Sequence, residues 1–318
     1  MRTNVYSGDG GGFLARLLDE FGHKIVFSIP GAQLLSIWDA LGRDRRLQLV
    51  VPASEWSGGF QAEGYALASG RPAIVLDTLG PGVANELPAM ASARLGKRPV
   101  LYISPIHPAQ KRARLGRVFQ GLDTSKLLGP QASYTLRVES AEQLPGHLEL
   151  ARRLCLGESF RSAEINIEVP APGPVRLEIE YPFLFRRLLA RIPALPLSET
   201  RPAEPEAGLY VAAGAIPRQL RPMLRGLEAT CIANGLGVAR YNIDLALGFY
   251  LARNDCALIW PAGDAELQAA TGSLMAAIGA GLPLYYRATG PIALLDAIGV
   301  ARATEGGFLP GITIAYIK

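Results

Sequence analysis

The sequence predicts an α/β protein of two doubly wound parallel-sheet domains joined by a proline-rich connector, and three observations carry that prediction. Short apolar runs, KIVFSIP (24–30), LQLVV (47–51), AIVLDTL (73–79) and RPVLYISP (98–105), alternate with helix-patterned segments. That is the order of a parallel sheet crossed by helices. At 318 residues, 49% of them hydrophobic, the chain is long enough to bury two cores. Prolines then crowd residues 170–205, with FLFRRLLARI as a short amphipathic island, as in a connector lying on its neighbours. The reading divides the chain into a first domain at 1–170, a connector at 171–205 and a second, shorter domain at 206–318.

In chain order, Gly10-Gly11-Gly12 reads as a flexible entry and FLARLLDEFG as an amphipathic helix stopped at Gly22. KIVFSIP is the first core strand and ends in Pro30-Gly31; AQLLSIWDALG has helical spacing; LQLVV is the next strand. A small-residue helix, GGFQAEGYALASG, leads to the strand AIVLDTL and the turn Gly80-Pro81-Gly82. ANELPAMASARLG is a helix before RPVLYISP, YTLRV is a strand, a helix follows Ser140, and AEINIEVPAP (163–172) reads as the strand that closes the sheet. Beyond the connector, GLYVAAG, TCIANGLG, CALIWPAGD and LPLYYRATG alternate with PRQLRPMLRGL, NIDLALGFYLAR and LQAATGSLMAAIGAG as a second α/β unit.

Composition excludes several classes. No apolar run approaches the length of about 20 residues that a membrane helix needs, and MRTNVYSGDGG has no apolar signal core, so a cytoplasmic protein without a membrane partner is expected. Cys155, Cys231 and Cys256 are widely spaced and form no C-x-x-C pair, which argues for buried thiols and against disulfides or zinc. His23, His107 and His147 are too scattered for a histidine metal cluster. The net charge of +4 is modest, and the one dense basic run, HPAQKRARLGR (107–117), lacks interleaved aromatics. A solvated loop, not nucleic-acid binding, is the reading, with an arginine free to meet a substrate carboxylate as the functional alternative.

Candidate chemistry centres on residues 51–85 and on one carboxylate, Glu55. Ligands of parallel sheets gather at the carboxyl ends of the strands, so Glu55 and the turn at 80–85 would line one crevice. A glutamate between Trp56 and a Gly/Ala helix is partly desolvated, which suits proton exchange with a ring nitrogen; a helix N-terminal acid held by the dipole is the plainer alternative. The glycine turn lacks the Lys-Ser/Thr and G-x-G-x-x-G patterns of nucleotide loops. Asp77 and Glu86 flank it, but spacing alone does not make them a catalytic carboxylate pair.

These segments together, FGHKIVFSIPGAQLLSIWDAL, SEWSGGFQAEGYALASGRPAIVLDTLGPGVANELPAMASA, RPVLYISP and VFQGLDT, resemble the pyrimidine-binding domain of thiamine-diphosphate enzymes of the acetolactate synthase kind, over residues 8–170. The resemblance implies that Glu55 is the cofactor-activating glutamate and that Gln120 faces the reacting centre. It further implies that Pro30 and Gly31 shape the pocket entrance and that Pro81, Gly82 and Asn85 pack on the pyrimidine. Residues 206–318 resemble, in order, the diphosphate-binding domain in the compact form of phosphonopyruvate and sulfopyruvate decarboxylases. Gly235 and Gly237 fall at its glycine turn, and Gly263 and Asp264 begin its Gly-Asp-Gly motif.

There the second match breaks. The family holds magnesium, and through it the diphosphate, with the motif's aspartate and an asparagine after the following strand. This chain has Asp264 but only Thr289 where the asparagine should be. Ala265 and Glu266 follow Asp264; a Cβ crowds an approaching phosphate and the added charge repels it, although Glu266 is also a possible metal ligand. About 30 residues follow Arg287, and the connector is too short for the intermediate domain of acetolactate synthase. Two readings result. One is a thiamine-diphosphate- and magnesium-dependent decarboxylase or carboligase of a 2-oxo acid, working as a homodimer or homotetramer, metal held by Asp264, Glu266 and Thr289. The other is a degenerate homologue without the cofactor, either a structural or regulatory subunit, with a partner subunit able to complete the site, or a crevice reused for cofactor-independent chemistry.

Overall fold

The computed structural model describes residues 5–161 and 166–191, and in the second half residues 209–213, 229–232, 236, 241–253, 256–260, 270–282, 284–286, 302–303 and 314–315. The chain starts with a strand that the sequence pattern did not disclose, β1 (Val5–Asp9). Helix α1 (Gly10–Glu20) follows at once, its first turn capped by Asp9, whose carboxylate accepts from Gly12 N at 2.7 Å. The expected flexible glycines are therefore helical. Their absent side chains allow close packing: a Cβ on Gly10 would strike the Phe183 carbonyl, and one on Gly11 the Ser36 hydroxyl. The helix stops at Gly22, where φ is +78° and His23 N bonds Leu18 O at 3.1 Å.

Strand β2 (Ile25–Ser28) is buried throughout, as befits a strand covered on both faces. It is followed by α2 (Leu35–Arg43), β3 (Gln48–Val50), α3 (Glu55–Ser69), β4 (Ala73–Leu76), the short helices α4 (Pro81–Asn85) and α5 (Leu87–Leu95), and β5 (Val100–Ile106). Next come α6 (Ala109–Arg112), α7 (Thr124–Leu128), β6 (Tyr134–Val138), α8 (Leu144–Cys155), the two-residue strands β7 (Phe160–Arg161) and β8 (Asn166–Ile167), which pair antiparallel, β9 (Val175–Glu180), α9 (Tyr181–Phe185) and β10 (Arg187–Arg191). The main sheet has the order β3-β2-β4-β5-β9-β6, and every neighbouring pair is parallel. β10 returns to pair antiparallel with β1.

The closing strand is thus not 163–172 but β9, inside the stretch that the prolines mark as connector. The sequence hides it because VRLEIE places charges where a central strand should be apolar. Those charges are matched in place. Arg176 and Glu178, both fully buried, pair at 3.1 Å, Arg137 adds a second bond to Glu178 at 2.7 Å, and Ser125 donates to it at 2.8 Å. Arg176 also donates to the Thr124 carbonyl at 3.2 Å. A buried ion is tolerable only when paired and hydrogen-bonded, and this one is.

In the second half, β11 (Leu209–Ala213), β12 (Ala229–Ile232), β13 (Cys256–Trp260) and β14 (Leu284–Tyr286) form a parallel sheet ordered β12-β11-β13-β14. With it go helices α10 (Asn242–Arg253) and α11 (Thr271–Gly279). The halves meet where α10 crosses α3 at backbone distance: a Cβ on Gly64 would strike the Leu245 carbonyl, and one on Gly248 the Gln61 carbonyl. Nearby, Phe60 and Tyr241 stack at 4.1 Å between ring centres, with Trp56 tilted on Tyr241 at 5.3 Å.

At the centre of this crossing lies Asp244, fully buried, accepting from Ser57, from Gln61 Nε2 at 3.0 Å and from Ser273 at 2.8 Å. Burial pushes its carboxyl up to about 6, and the three donors, Ser57 foremost, pull the other way. Asp244→Ala leaves those donors without their acceptor and is expected to cost roughly 2–4 kcal/mol, read as a lower urea midpoint. Among the described residues no helix is long and apolar enough to cross a membrane. The basic run at 107–117 is mostly exposed, but it is not simply the loop expected, since Ala109–Arg112 form α6; Arg112 is held by Glu180 at 2.8 Å.

Candidate functional site

Three loops at the carboxyl ends of β2, β4 and β5 converge on the N-terminus of α3. Ser54 caps that helix by accepting from Ser57 N at 3.2 Å, which leaves Glu55 in its first turn, half-buried, where the helix dipole favours a negative charge. Glu55 Oε2 accepts from Asn85 Nδ2 at 3.1 Å. Its Oε1 faces Gly82: a Cβ there would lie 3.3 Å from it and 2.5 Å from Thr78 Cγ2. Gly82 and Asn85, which the resemblance expects to pack on the ring, therefore lie beside the acid.

The turn itself demands glycine at one position. Gly80 has φ +70° and ψ −107°, a conformation that a side chain would strain, and its Cα faces the Gln120 carbonyl so closely that a Cβ would lie 2.5 Å from that oxygen. Gln120 is itself at φ +55°, a region that costs a non-glycine residue about 1 kcal/mol or more. Its side chain is tied in by Gln33, whose Nε2 donates to Gln120 Oε1 at 3.2 Å, while Thr78 donates to Gln33 Oε1 at 2.9 Å. Gly31 packs flush on Thr78, where a Cβ would overlap the hydroxyl oxygen. Pro30 and Pro81 are exposed at the ends of their loops.

So Glu55, Gly31, Gly82, Asn85 and Gln120 come together in one connected cluster. Gln33 and Thr78 belong to it too and were not anticipated; each is an ordinary polar loop residue in sequence, and only the folded loops bring them into hydrogen-bond range. Gly235, Gly237, Gly263, Asp264, Glu266 and Thr289 lie outside the described residues. Among the described residues no group of three or more His, Cys, Asp or Glu could hold a metal. Cys155 is a free, buried thiol, driven upward by burial, and has no place in the crevice.

A half-buried carboxylate with one oxygen anchored by an amide and the other facing a side-chain-free floor can hold or exchange a proton with a flat heteroaromatic ring. The donor set therefore fits the aminopyrimidine ring of thiamine diphosphate. Residues 9–127 match the family model described as the thiamine pyrophosphate enzyme N-terminal TPP binding domain. The chain is 31% identical over 219 residues to the acetolactate synthase isozyme 1 large subunit of Escherichia coli, a match covering 68% of this chain and 36% of that protein. It is 29% identical over 180 residues to the mitochondrial acetolactate synthase catalytic subunit of Saccharomyces cerevisiae, covering 56% and 24%. The chain thus spans about a third or less of the length of these relatives. In fold it is similar to the thiamine diphosphate-dependent 4-hydroxybenzoylformate decarboxylase of Rhodococcus jostii RHA1, with a TM-score of 0.70 and 12% identity over 98% of this chain and 99% of the other.

Proposed function

We propose, for a chain whose residues 9–127 belong to the N-terminal TPP-binding domain family of thiamine pyrophosphate enzymes, that it is a thiamine-diphosphate-dependent decarboxylase or carboligase of a 2-oxo acid. The observation that carries this reading is Glu55, fixed by Asn85 on one oxygen and open over Gly82 on the other. The bound cofactor would supply an electron sink for the carbanion left when a 2-oxo acid loses carbon dioxide. Glu55 would hold a proton at Oε1 against the cofactor's ring nitrogen. Gly82, Pro81 and Asn85 would form the floor and flank of the ring, Pro30 and Gly31 the entrance. Gln120, positioned through Gln33 and Thr78, would present its amide to the substrate end.

For the remainder of the cofactor we assign residues 206–318 as the diphosphate half, with Gly235, Gly237 and Gly263 along the phosphates and a magnesium ion on Asp264, aided by Glu266 and Thr289. The parallel sheet β12-β11-β13-β14 is consistent with that assignment. We further take the active form to be a homodimer or homotetramer, or a complex with a partner subunit, in the cytoplasm. The large- and catalytic-subunit relatives support an assembly, and the free thiol of Cys155 suits a reducing compartment.

Calorimetric titration with thiamine diphosphate, with and without magnesium, tests the proposal. Saturable binding that strengthens with magnesium is expected, followed by carbon dioxide release from one or more 2-oxo acids. Absence of binding at millimolar cofactor would overturn it in favour of the cofactor-free reading.

A further inference from the structure

Behind Glu55 lies a second acidic feature that this reading does not use. Asp77, at the end of β4, is 2% exposed, and Glu86, at the junction of α4 and α5, is fully buried. Neither Glu86 oxygen has a donor within hydrogen-bond distance, and neither does Asp77 Oδ2. Gly59, one turn along α3 from Glu55, provides the space for Glu86: a Cβ there would overlap Glu86 Oε2 and lie 3.4 Å from the Tyr102 hydroxyl. That hydroxyl is buried and also lacks a partner. Asp77 and Glu86 face each other within side-chain hydrogen-bonding reach, yet two ionised carboxylates cannot bond to each other, because neither has a donor. One proton between them supplies it.

We propose that Asp77 and Glu86 share a single proton and act as positioning residues for Glu55, their charge and its charge being set together. The inference rests on the reading of Glu55 as the acid that exchanges a proton with the cofactor ring. Burial is the main reason that each carboxyl holds its proton, pushing Asp77 up to about 7 and Glu86 well above the usual carboxylate range. Each is also raised by the charge of Glu55, and coupling between two charges is reciprocal. The other groups facing the pair are Arg176 on β9, which draws Asp77 downward, and Tyr102 on β5, on which Glu63 of α3 also acts. Near neutral pH the pair therefore passes from no charge to one negative charge, with a single proton left between the two carboxyls directly behind the acid.

Infrared titration of the protonated carboxyl stretch, on protein without cofactor, reads this proton directly. The wild type is expected to lose part of its carboxylic acid band near pH 7 and to keep part above it; Asp77→Asn removes the part lost near pH 7 and Glu86→Gln the part that persists, while Asp244→Asn subtracts a further raised buried carboxyl among the described residues. Thermal melts show whether either variant folds. Glu55→Gln, at a half-exposed position, probes the coupling without touching the pair: it is expected to leave the band and move its midpoint roughly half to one pH unit lower. Loss of the wild-type band by pH 5.5, or an unmoved midpoint in Glu55→Gln, overturns the inference. Because the band is read without cofactor, a failure to bind thiamine diphosphate would overturn the reading of Glu55 separately.

Discussion

Glu55→Gln is expected to lower thiamine-diphosphate-dependent turnover of a 2-oxo acid by roughly 10²- to 10⁴-fold, the usual contribution of a placed acid or base. The substitution keeps the shape of the side chain. A glutamine oxygen can still accept from Asn85, and the helix N-terminus stays capped by Ser54, so the melting temperature should change little. What the substitution removes is the carboxylate over Gly82 to which the proposed function gives the proton. Steady-state rates beside thermal melts separate these effects: a slow, normally folded variant supports the assignment, whereas an undiminished rate removes Glu55 from the chemistry.

The largest expected effect on stability is at the crossing of α3 and α10. Gly64→Val should cost about 3 kcal/mol or more, because the new side chain meets the Leu245 carbonyl and the Phe249 amide, and a backbone cannot swing aside as a side chain does. Helix propensity alone predicts the opposite for Gly64→Ala, a gain of up to about 1 kcal/mol. The sign of that milder variant in urea denaturation is thus the sharper test, and a loss is expected. Gly146→Ala in α8 is the control: a Cβ there meets nothing within 4 Å, so propensity should prevail.

Much of the fold was legible in sequence because strands covered on both faces need continuous apolar runs, and β2, β4 and β5 have them. β9 was missed for the converse reason: its ions are neutralised by Arg137 and by each other, partners distant or unrecognisable in sequence. β1 was missed because it lies at a surface and pairs with β10, which falls beyond the first domain, in the stretch read as connector. Of the crevice, the residues that depend on local pattern, Glu55 at a helix start and glycines in a turn, could be read directly. The Thr78-Gln33-Gln120 chain could not, because it joins three loops.

Asp244 also lies in an unremarkable helical pattern, and only the partners Ser57, Gln61 and Ser273 give its charge a place. Asp77 and Glu86 were visible as flanking acids, but their shared burial was not.

The α3–α10 seam bears on how the chain can change over generations. Its fit depends on a missing side chain in each helix, Gly64 on one side and Gly248 on the other, with Asp244 keyed to Ser57 and Gln61 between them. The two halves are therefore not interchangeable modules. A chimera that grafts the second half of a relative onto this first half inherits a working joint only if the graft brings a glycine and a matching acceptor to those two places.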